Sequence, residues 1–249
     1  MLHEKTILIT GASSGIGAAA AGLFAASGAN LVLTARRKQK LEEVRTSIPD
    51  AAGKVEILAG DVSDPDFASA AVSMAVEKFG GLDGAFNNAG MLGDVGPVPE
   101  MSLTSWQQVM DTNLTSAFLL AKHQIPALKT RGGGAIVFTS SFVGHTIGLP
   151  GMAAYAASKA GLVGLTQVLG VEHGPDNIRV NALLPGGTRT EMAGDDPAFH
   201  DYVAGLHALK RMAKPEEIAN AAMFLLSDAG SFVTGSAMLC DGGNSITKA

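Results

Sequence analysis

The feature that most constrains the fold of this chain is a regular alternation of short apolar runs with longer segments of helical spacing. The short runs predict strands over residues 6–10, 30–35, 55–59, 82–87, 135–140, 179–184 and 237–240. The longer segments predict helices over residues 16–27, 38–47, 65–79, 103–128, 154–173 and 215–227. Because a strand–helix–strand repeat requires parallel strands covered on both faces, the pattern predicts an α/β fold with a doubly wound parallel sheet of about seven strands.

The chain of 249 residues is predicted to form a single domain, residues 1–249. It has no change of composition, long linker or internal repeat, and residues 49–53 and 132–134 are interpreted as connecting turns. Residues 189–214 include the least regular segment of the sequence. We expect them to form a mobile lid over a substrate site.

The composition argues against nucleic-acid and membrane partners. The chain has 18 Lys and Arg against 23 Asp and Glu, a net charge of −5, and no concentration of basic residues. It has neither a signal-peptide pattern nor a run of 18 apolar residues. The single cysteine, Cys240, excludes an intrachain disulfide and a cysteine-based metal site, and we expect no metal. These observations favour a soluble protein of the cytoplasm.

A glycine-rich turn follows the first predicted strand and leads into an alanine-rich helix. Glycines let the backbone approach a pyrophosphate, and a helix N-terminus offers free N–H groups, so the turn predicts a Rossmann-type dinucleotide site. Its spacing, Gly-x-x-x-Gly-x-Gly, differs from the commoner Gly-x-Gly-x-x-Gly. The candidate cofactor-binding residues here are Gly11, Ser13, Ser14, Gly15, Ile16 and Gly17.

Two alternatives for this turn stay open. The residues also satisfy Gly-x-Ser-x-Gly, in which Ser13 would be a hydrolase nucleophile. Only ten residues precede the motif, however, which leaves no upstream strand and loop to supply an oxyanion-hole N–H group. The other alternative is a glycine turn with a purely structural role.

The residues after the second predicted strand favour NADP(H) over NAD(H), although NAD(H) remains possible. Ala35 stands twenty residues after Gly15, where an NAD-preferring site would have an acidic residue. Arg36 and Arg37 follow, and their positive charge opposes the dipole of the helix that begins there. Binding of a 2′-phosphate explains these arginines, and a solvated basic run is the alternative.

Tyr155 and Lys159 are four residues apart in a predicted helix, so both side chains should project from one face. At ~4 Å and an effective dielectric constant of ~20, the lysine would favour the phenolate by about 4 kcal/mol, or about three pKa units, before desolvation. Such a tyrosine could exchange a proton near neutral pH. A surface Tyr/Lys pair is the alternative that these two residues alone leave open.

The ordered set of motifs resembles the short-chain dehydrogenase/reductase family over essentially the whole chain. The set comprises the glycine turn, Asp61 after the third strand, the segment Asn87-Asn88-Ala89-Gly90 after the fourth, the Tyr155/Lys159 pair, and Pro185-Gly186 after the sixth. The resemblance implies an oxidoreductase that transfers a hydride between NADP(H) and a small carbonyl or secondary-alcohol substrate.

The resemblance also implies roles for individual residues. Tyr155 would be the general acid/base, Lys159 would lower its pKa and hold the nicotinamide ribose, and Ser141 would bind the substrate oxygen. Asn113 would help to carry a proton relay. The implied cofactor contacts beyond the glycine turn and the two arginines are Asp61, Val62, Asn88, Ala89, Gly90, Tyr155, Lys159, Pro185, Gly186, Thr188 and Thr190.

The serine assignment requires a shift of one position. Many members of the family have this serine thirteen residues before the tyrosine, a position that Phe142 occupies here. Ser141 and Ser140 lie fourteen and fifteen residues before Tyr155. Because the intervening loop can absorb one extra residue, we predict Ser141 and keep Ser140 as the alternative.

Other polar residues are weaker candidates. His145 lies in the loop expected to border the substrate, and His200, Tyr202 and His207 lie in the predicted lid. A solvated side chain without a role in the site is the simpler interpretation of each.

The family resemblance also implies a homotetramer, or a dimer, formed through the fourth and fifth long helices. The apolar residues available for that packing are Leu114, Phe118, Leu119, Leu162, Leu165 and Val168. The alternative is that they face the chain's own sheet. A second functional hypothesis is a catalytically silent dinucleotide-binding sensor or interaction protein, which the presence of Ser141, Tyr155 and Lys159 disfavours.

Overall fold

The computed structural model describes residues 1–49 and 52–247, which form a seven-stranded parallel sheet with helices on both faces. The fold predicted from the sequence is confirmed. The strands are β1 (Thr6–Thr10), β2 (Asn30–Ala35), β3 (Val55–Ala59), β4 (Gly84–Asn87), β5 (Gly134–Thr139), β6 (Ile178–Pro185) and β7 (Ala237–Cys240). Their order across the sheet is β3-β2-β1-β4-β5-β6-β7. Two residues of the predicted turn 49–53 lie outside the described residues.

Eight α-helices are described in these residues. They are α1 (Gly15–Ala26), α2 (Lys38–Ser47), α3 (Pro65–Phe79), α4 (Leu103–Met110), α5 (Ser116–Arg131), α6 (Ala153–His173), α7 (Pro197–Leu206) and α8 (Pro215–Leu226). Short 3₁₀ helices occur at Val98–Glu100, Gly174–Asp176, Glu191–Ala193, Asp228–Gly230 and Asn244–Ile246. None of the helices in the described part of the chain is long and apolar enough to cross a bilayer.

The sheet separates two hydrophobic cores because successive side chains of a strand point to opposite faces. On β1, Ile7 and Ile9 belong to the core that also contains Phe24 of α1 and residues of α8, whereas Leu8 belongs to the core that contains residues of α3, α5 and α6. Every residue of β1 is buried. The central strands are therefore continuous apolar runs, as expected for a parallel sheet covered on both sides.

The helix predicted over residues 103–128 is confirmed as one continuous helical segment with a π-helical turn inside it. Helix α4 ends at Met110, a π-helical turn spans Asp111–Thr115, and α5 continues to Arg131. The turn places Asn113 inward, where its side chain bonds the main chain of Met91. A local insertion of this kind depends on a tertiary contact, which helical periodicity does not report.

The predicted lid contains a helix that the sequence analysis missed. Helix α7 begins at Pro197, and the Asp196 carboxylate accepts a hydrogen bond of 2.9 Å from the Ala198 N–H group. An Asp before a Pro is a helix-start signal, because Asp caps free N–H groups and Pro has a fixed φ that suits the first helical position. The Asp196-Pro197 pair therefore predicts the start of α7 from the sequence alone.

The apolar residues considered for subunit packing divide into two groups. Leu162 is buried in the core beneath the sheet, and Leu114, Leu119 and Leu165 pack against that core. Phe118 on α5 and Val168 on α6 are each 54% exposed. Only these two of the six predicted residues clearly face away from the chain's own sheet.

Candidate active site

A cavity of about 640 Å³ opens at the carboxyl ends of the strands. Strand order reverses between β1 and β4, and loops that diverge at such a point leave a crevice for a ligand. All predicted cofactor-binding residues except Gly17 line it, namely Gly11, Ser13, Ser14, Gly15, Ile16, Arg36, Arg37, Asp61, Val62, Asn88, Ala89, Gly90, Tyr155, Lys159, Pro185, Gly186, Thr188 and Thr190. The fold therefore brings one continuous set of residues to a single cleft.

The glycine turn is shaped by close backbone contacts. Gly11 has φ +66°, and a Cβ there would lie 2.9 Å from the Cα atom of Ala89. A Cβ at Gly17 would clash with the Gly11 carbonyl. Gly17 thus lets α1 pack closely against the turn, and its contact with a cofactor stays a prediction.

The start of α1 fits an anionic group. Its first turn contains no acidic side chain, and the hydroxyl of Ser14 at the N-cap makes no capping hydrogen bond. The N–H groups at this end, which carry partial positive charge, are therefore available to a ligand. Together with the glycines at the cleft floor, this arrangement suits the pyrophosphate of a dinucleotide.

The environment of Ser13 disfavours the hydrolase alternative. Its hydroxyl accepts a hydrogen bond of 3.2 Å from the Arg37 guanidinium. A nucleophilic serine needs a neighbouring base to take its proton. Arginine remains protonated in proteins and cannot serve as that base.

Arg37 joins three parts of the cleft. One of its nitrogens donates hydrogen bonds of 3.2 Å and 3.0 Å to Ser13 and Ser14 and lies 2.9 Å from a carboxylate oxygen of Glu191. The Arg37 guanidinium holds the pKa of Glu191 below its usual value. Arg36 lines the same end of the cleft. Of the two arginines, Arg37 thus has its charge partly committed to a protein carboxylate.

The carboxyl ends of β3 and β4 supply further predicted residues. Asp61 accepts hydrogen bonds from the main chain and hydroxyl of Ser63, and the main-chain bond is the largest cause of its lowered pKa. The Asn88 and Ala89 N–H groups each donate a 3.0 Å bond to the Thr10 hydroxyl. These bonds fasten the wall of the cleft to the end of β1.

Tyr155 and Lys159 lie in the first two turns of α6, where both line the cleft. The Lys159 Nζ is 5.7 Å from the centroid of the Tyr155 ring and donates a 2.6 Å hydrogen bond to the Thr139 carbonyl. Burial lowers the pKa of Lys159 to about 8. The Lys159 ammonium group therefore binds the end of β5 and also lies near the Tyr155 ring.

The predicted lowering of the Tyr155 pKa is wrong. Burial of the phenol raises its pKa, and interaction with the Ser141 hydroxyl offsets only part of this increase. Desolvation penalises the charged form of each group, so it raises the pKa of a phenol and lowers that of an ammonium group. The Coulomb figure derived from helical spacing was given before desolvation, and in the folded protein desolvation is the larger effect.

The two adjacent serines have different surroundings. Ser140 donates a 2.7 Å hydrogen bond to the Lys159 carbonyl and thereby ties β5 to α6. The Ser141 hydroxyl accepts a 3.1 Å bond from the Val143 N–H group and interacts with Tyr155. Both serines line the cavity, but only Ser141 has its hydroxyl near the phenol.

Asn113 is buried and does not line the cavity. Its amide accepts a 2.8 Å bond from the Met91 N–H group and donates bonds of 2.9 Å to the Met91 carbonyl and 3.0 Å to the Ser158 hydroxyl. A Cβ added at Gly90 would lie 3.2 Å from Lys159 Nζ and 3.3 Å from Asn113 Oδ1. Because Gly90 has no side chain, its main chain can lie close to both Lys159 Nζ and Asn113 Oδ1.

The segment after β6, the predicted lid and other loops contribute polar and apolar contacts. The Thr188 hydroxyl donates a 3.0 Å bond to the Gly186 carbonyl, and a Cβ at Gly15 would lie 3.0 Å from the Thr190 methyl group. Residues that the sequence analysis did not identify also line the cleft, including Leu92, Leu149, Met152, Met192, Phe199 and Leu206. They carry no motif, and only the fold reveals their shared position.

The weaker candidates do not line the main cleft. His207 is buried, and its Nε2 accepts a 3.0 Å bond from the Gly187 N–H group while Nδ1 lies 2.7 Å from the Val203 carbonyl. His200 bonds the Gly194 carbonyl, and Tyr202 is 65% exposed. His145 is exposed in the loop after β5.

The family model described as enoyl-(acyl carrier protein) reductase matches residues 11–245. The chain therefore belongs to the short-chain dehydrogenase/reductase family, whose members are oxidoreductases that use NAD(H) or NADP(H). This assignment confirms the resemblance seen in the sequence and agrees with the cleft at the strand reversal.

Particular relatives match over almost their full length. The chain is 41% identical to 2,5-dichloro-2,5-cyclohexadiene-1,4-diol dehydrogenase of Sphingobium indicum over 247 residues, which is 97% of each chain. It is 39% identical to cyclohexanol dehydrogenase of Acinetobacter sp. over 96% of this chain and 94% of the relative. The crystal structure of levodione reductase covers 100% of both chains with a TM-score of 0.94 and 33% identity.

Proposed function

We propose that this protein is an NADP(H)-preferring oxidoreductase that interconverts a secondary alcohol and a carbonyl compound, with Tyr155 as the general acid/base. The observation that carries the proposal is the placement of Tyr155, Ser141 and the glycine turn in one cleft. The relatives named above as dehydrogenases and reductases support the reaction class. In the cleft, a substrate oxygen and the nicotinamide would meet beside the phenol.

The cofactor supplies hydride donation and acceptance when bound, and the chain supplies proton transfer and orientation. For carbonyl reduction, the Tyr155 hydroxyl gives its proton to the substrate oxygen, and the Ser141 hydroxyl donates a hydrogen bond to the same oxygen. Both groups stabilise negative charge where it develops. For alcohol oxidation, the ionised Tyr155 oxygen takes the alcohol proton.

The protonation state of Tyr155 is compatible with the acid role. A phenol whose pKa lies above its ordinary value carries its proton at neutral pH, while the upward shift itself makes it a weaker acid that the bound cofactor and Lys159 would have to counter. Lys159, held by the Thr139 carbonyl, would bind the ribose hydroxyls and favour the phenolate during oxidation. Asn113 would position Met91 and the groups around Gly90, and its part in a proton relay stays a prediction.

The preference for NADP(H) is proposed from charge. Arg36 and Arg37 line the cleft after β2, where Ala35 offers no carboxylate to a ribose hydroxyl. A 2′-phosphate would gain charge-assisted hydrogen bonds from these guanidinium groups. Asp61 and Val62 would contact the adenine, and Thr188 and Thr190 the nicotinamide amide and the phosphates.

Three further features belong to this proposal. Residues 189–214 act as the lid, with α7 as its rigid part. Phe118 and Val168 contribute to the surface of a homotetramer, or of a dimer, because each exposes more than half of its side chain. A location in the cytoplasm stays a prediction from the sequence.

The proposal is tested by following NADPH and NADH oxidation in parallel with a panel of cyclic and linear ketones. We expect turnover with at least one ketone and a higher kcat/KM with NADPH. Turnover with equal efficiency for both cofactors would contradict the cofactor preference alone. Tight dinucleotide binding without turnover of any ketone or alcohol would instead support the silent sensor.

A further inference from the structure

The two ends of the cleft differ in charge. The charged residues that line it are Arg36, Arg37, Asp61, Lys159 and Glu191. The first three follow β2 and β3, which lie on one side of β1 in the sheet. Tyr155 and Ser141 belong to the other side, where β5 and β6 end. We call the part of the cleft that Arg36 and Arg37 line the basic end. In the sheet, β1 and β4 lie between this end and the strands that lead to Tyr155 and Ser141.

The remaining two charges already have protein partners. Glu191 lies 2.9 Å from Arg37, which draws its carboxylate toward the glycine turn. Lys159 is buried and donates its 2.6 Å hydrogen bond to the Thr139 carbonyl. Among the described residues that line the cleft, no cationic side chain is left at the Tyr155 end to pair with an anionic substrate.

Six of the uncharged residues that line the cleft are large and apolar, and they come from α7 and from the segments that follow β4, β5 and β6, on the same side of β1 as Tyr155. We call this set the apolar end, and it comprises Leu92, Leu149, Met152, Met192, Phe199 and Leu206. A Cβ added at Gly187, which follows β6, would meet the Val203 side chain, so α7 packs directly over this part of the cleft. Met192 and Phe199 remain 52% and 46% exposed while lining it. An apolar ligand would cover both and remove their surface from water.

We propose that the substrate is an uncharged, largely apolar ketone or secondary alcohol, without a carboxylate, phosphate or ammonium group near the reacting carbon. This inference rests on the proposed function and specifies the substrate class of the same site. A carboxylate transferred into the apolar end would lose its hydration without gaining an ion pair, and such a loss is costly. A matching neutral molecule would lose little hydration and would gain apolar contacts.

The test uses a matched pair of ligands, 4-methylcyclohexanone and 4-oxocyclohexanecarboxylate. Their affinities are measured by calorimetric titration of the full chain saturated with oxidised dinucleotide, because a ketone cannot be reduced in that complex. We expect the carboxylate to bind at least about 30-fold more weakly than the methyl compound. Equal affinities, tighter binding of the carboxylate, or failure of the neutral ketone to bind would each overturn the inference.

A charge-introducing variant sharpens the comparison. Leu149→Lys places an ammonium group at the apolar end, and we expect it to reduce the difference in affinity between the two ligands by about tenfold or more. Phe232→Lys is the matched control, because Phe232 is fully exposed and does not line the cleft. An unchanged difference in Leu149→Lys, in a variant that still binds dinucleotide, would count against the inference.

Turnover measured in parallel separates the two proposals. If the neutral ketone binds preferentially but neither it nor any ketone of the panel is reduced by NADPH or NADH, the proposed function fails while the preference of the cleft for a neutral ligand stands. If both ketones are reduced with equal kcat/KM, the proposed function stands and the substrate class is overturned.

Discussion

The Lys159 Nζ lies 5.7 Å from the centroid of the Tyr155 ring and bonds the Thr139 carbonyl at 2.6 Å. Lys159 is buried and Tyr155 is half-buried, and desolvation moves their pKa values in opposite directions, to about 8 for Lys159 and upward for Tyr155. The pair therefore carries a desolvation cost in the folded protein. Such costs are common at functional sites, where they set the protonation states that a reaction needs.

Lys159→Met is expected to increase the free energy of unfolding at pH 7. Lys159 has a pKa of about 8 when folded against 10.5 ordinarily, so its burial costs about 3 kcal/mol wherever both states are protonated. Loss of the hydrogen bond to Thr139 destabilises the variant by about 1 kcal/mol. The net increase in its free energy of unfolding is therefore about 2 kcal/mol. Unfolding in denaturant at pH 7 measures this gain.

The pH dependence of the Lys159→Met gain has a definite sign. As pH rises from about 8 to 10.5, the folded lysine loses its proton before the unfolded one, so the cost of its burial disappears. The gain should therefore shrink toward pH 10. Lys78→Met, at an exposed position of α3, should change stability by less than about 0.5 kcal/mol at either pH. A gain that grows with pH would contradict the assigned burial cost.

Ser141→Ala should impair catalysis, whereas Ser140→Ala should impair stability. Ser141→Ala removes a hydroxyl beside the phenol and should lower kcat by about 100-fold. Ser140→Ala removes a buried 2.7 Å bond to the Lys159 carbonyl and should cost about 1–3 kcal/mol of stability with kcat within about threefold of normal. Steady-state kinetics and thermal unfolding of both variants provide the measurement. The reverse pattern would identify Ser140 as the residue that binds substrate.

Arg36→Ala should weaken NADPH binding by about 10- to 100-fold and leave NADH binding unchanged, because only NADPH carries the 2′-phosphate. Fluorescence titration with each reduced cofactor measures both affinities. Arg45→Ala is a suitable control, because Arg45 is on α2 outside the cleft and pairs with Glu42. Equal losses for the two cofactors would assign Arg36 a role other than phosphate recognition.

Glu191→Gln should strengthen NADPH binding by about threefold. The carboxylate competes for the Arg37 guanidinium, and its removal leaves that charge for the 2′-phosphate; the effect is small because the pair is exposed. The same titration, repeated at low and high salt, measures it. A weaker affinity would mean that Glu191 holds Arg37 in the binding geometry.

The sheet and the basic end of the cleft could be predicted because their signals are local. Apolar periodicity identified all seven strands, and the glycine turn and the two arginines stand next to their strands in the sequence. In a parallel sheet all carboxyl ends meet at one edge, so locating the strands also locates the residues that follow them.

The remaining features depend on contacts between distant residues. The π-helical turn inside the helix predicted over 103–128 accompanies the bonds of Asn113 to Met91, 22 residues away. The pKa of Tyr155 depends on how much protein covers the ring, which helical spacing does not report. The apolar end is assembled from separate loops and α7, so no single stretch of sequence reveals it.

Single-turnover reduction of a ketone by bound NADPH, compared between the normal chain and Tyr155→Phe, tests the central claim most directly. Tyr202→Phe is the control, because Tyr202 is 65% exposed and lies outside the cleft. We predict that Tyr155→Phe binds NADPH normally but transfers hydride about 10²- to 10⁴-fold more slowly, while Tyr202→Phe is unaffected. A folded Tyr155→Phe protein that binds NADPH and reduces the ketone at a near-normal rate would contradict the assignment of Tyr155 as the proton donor.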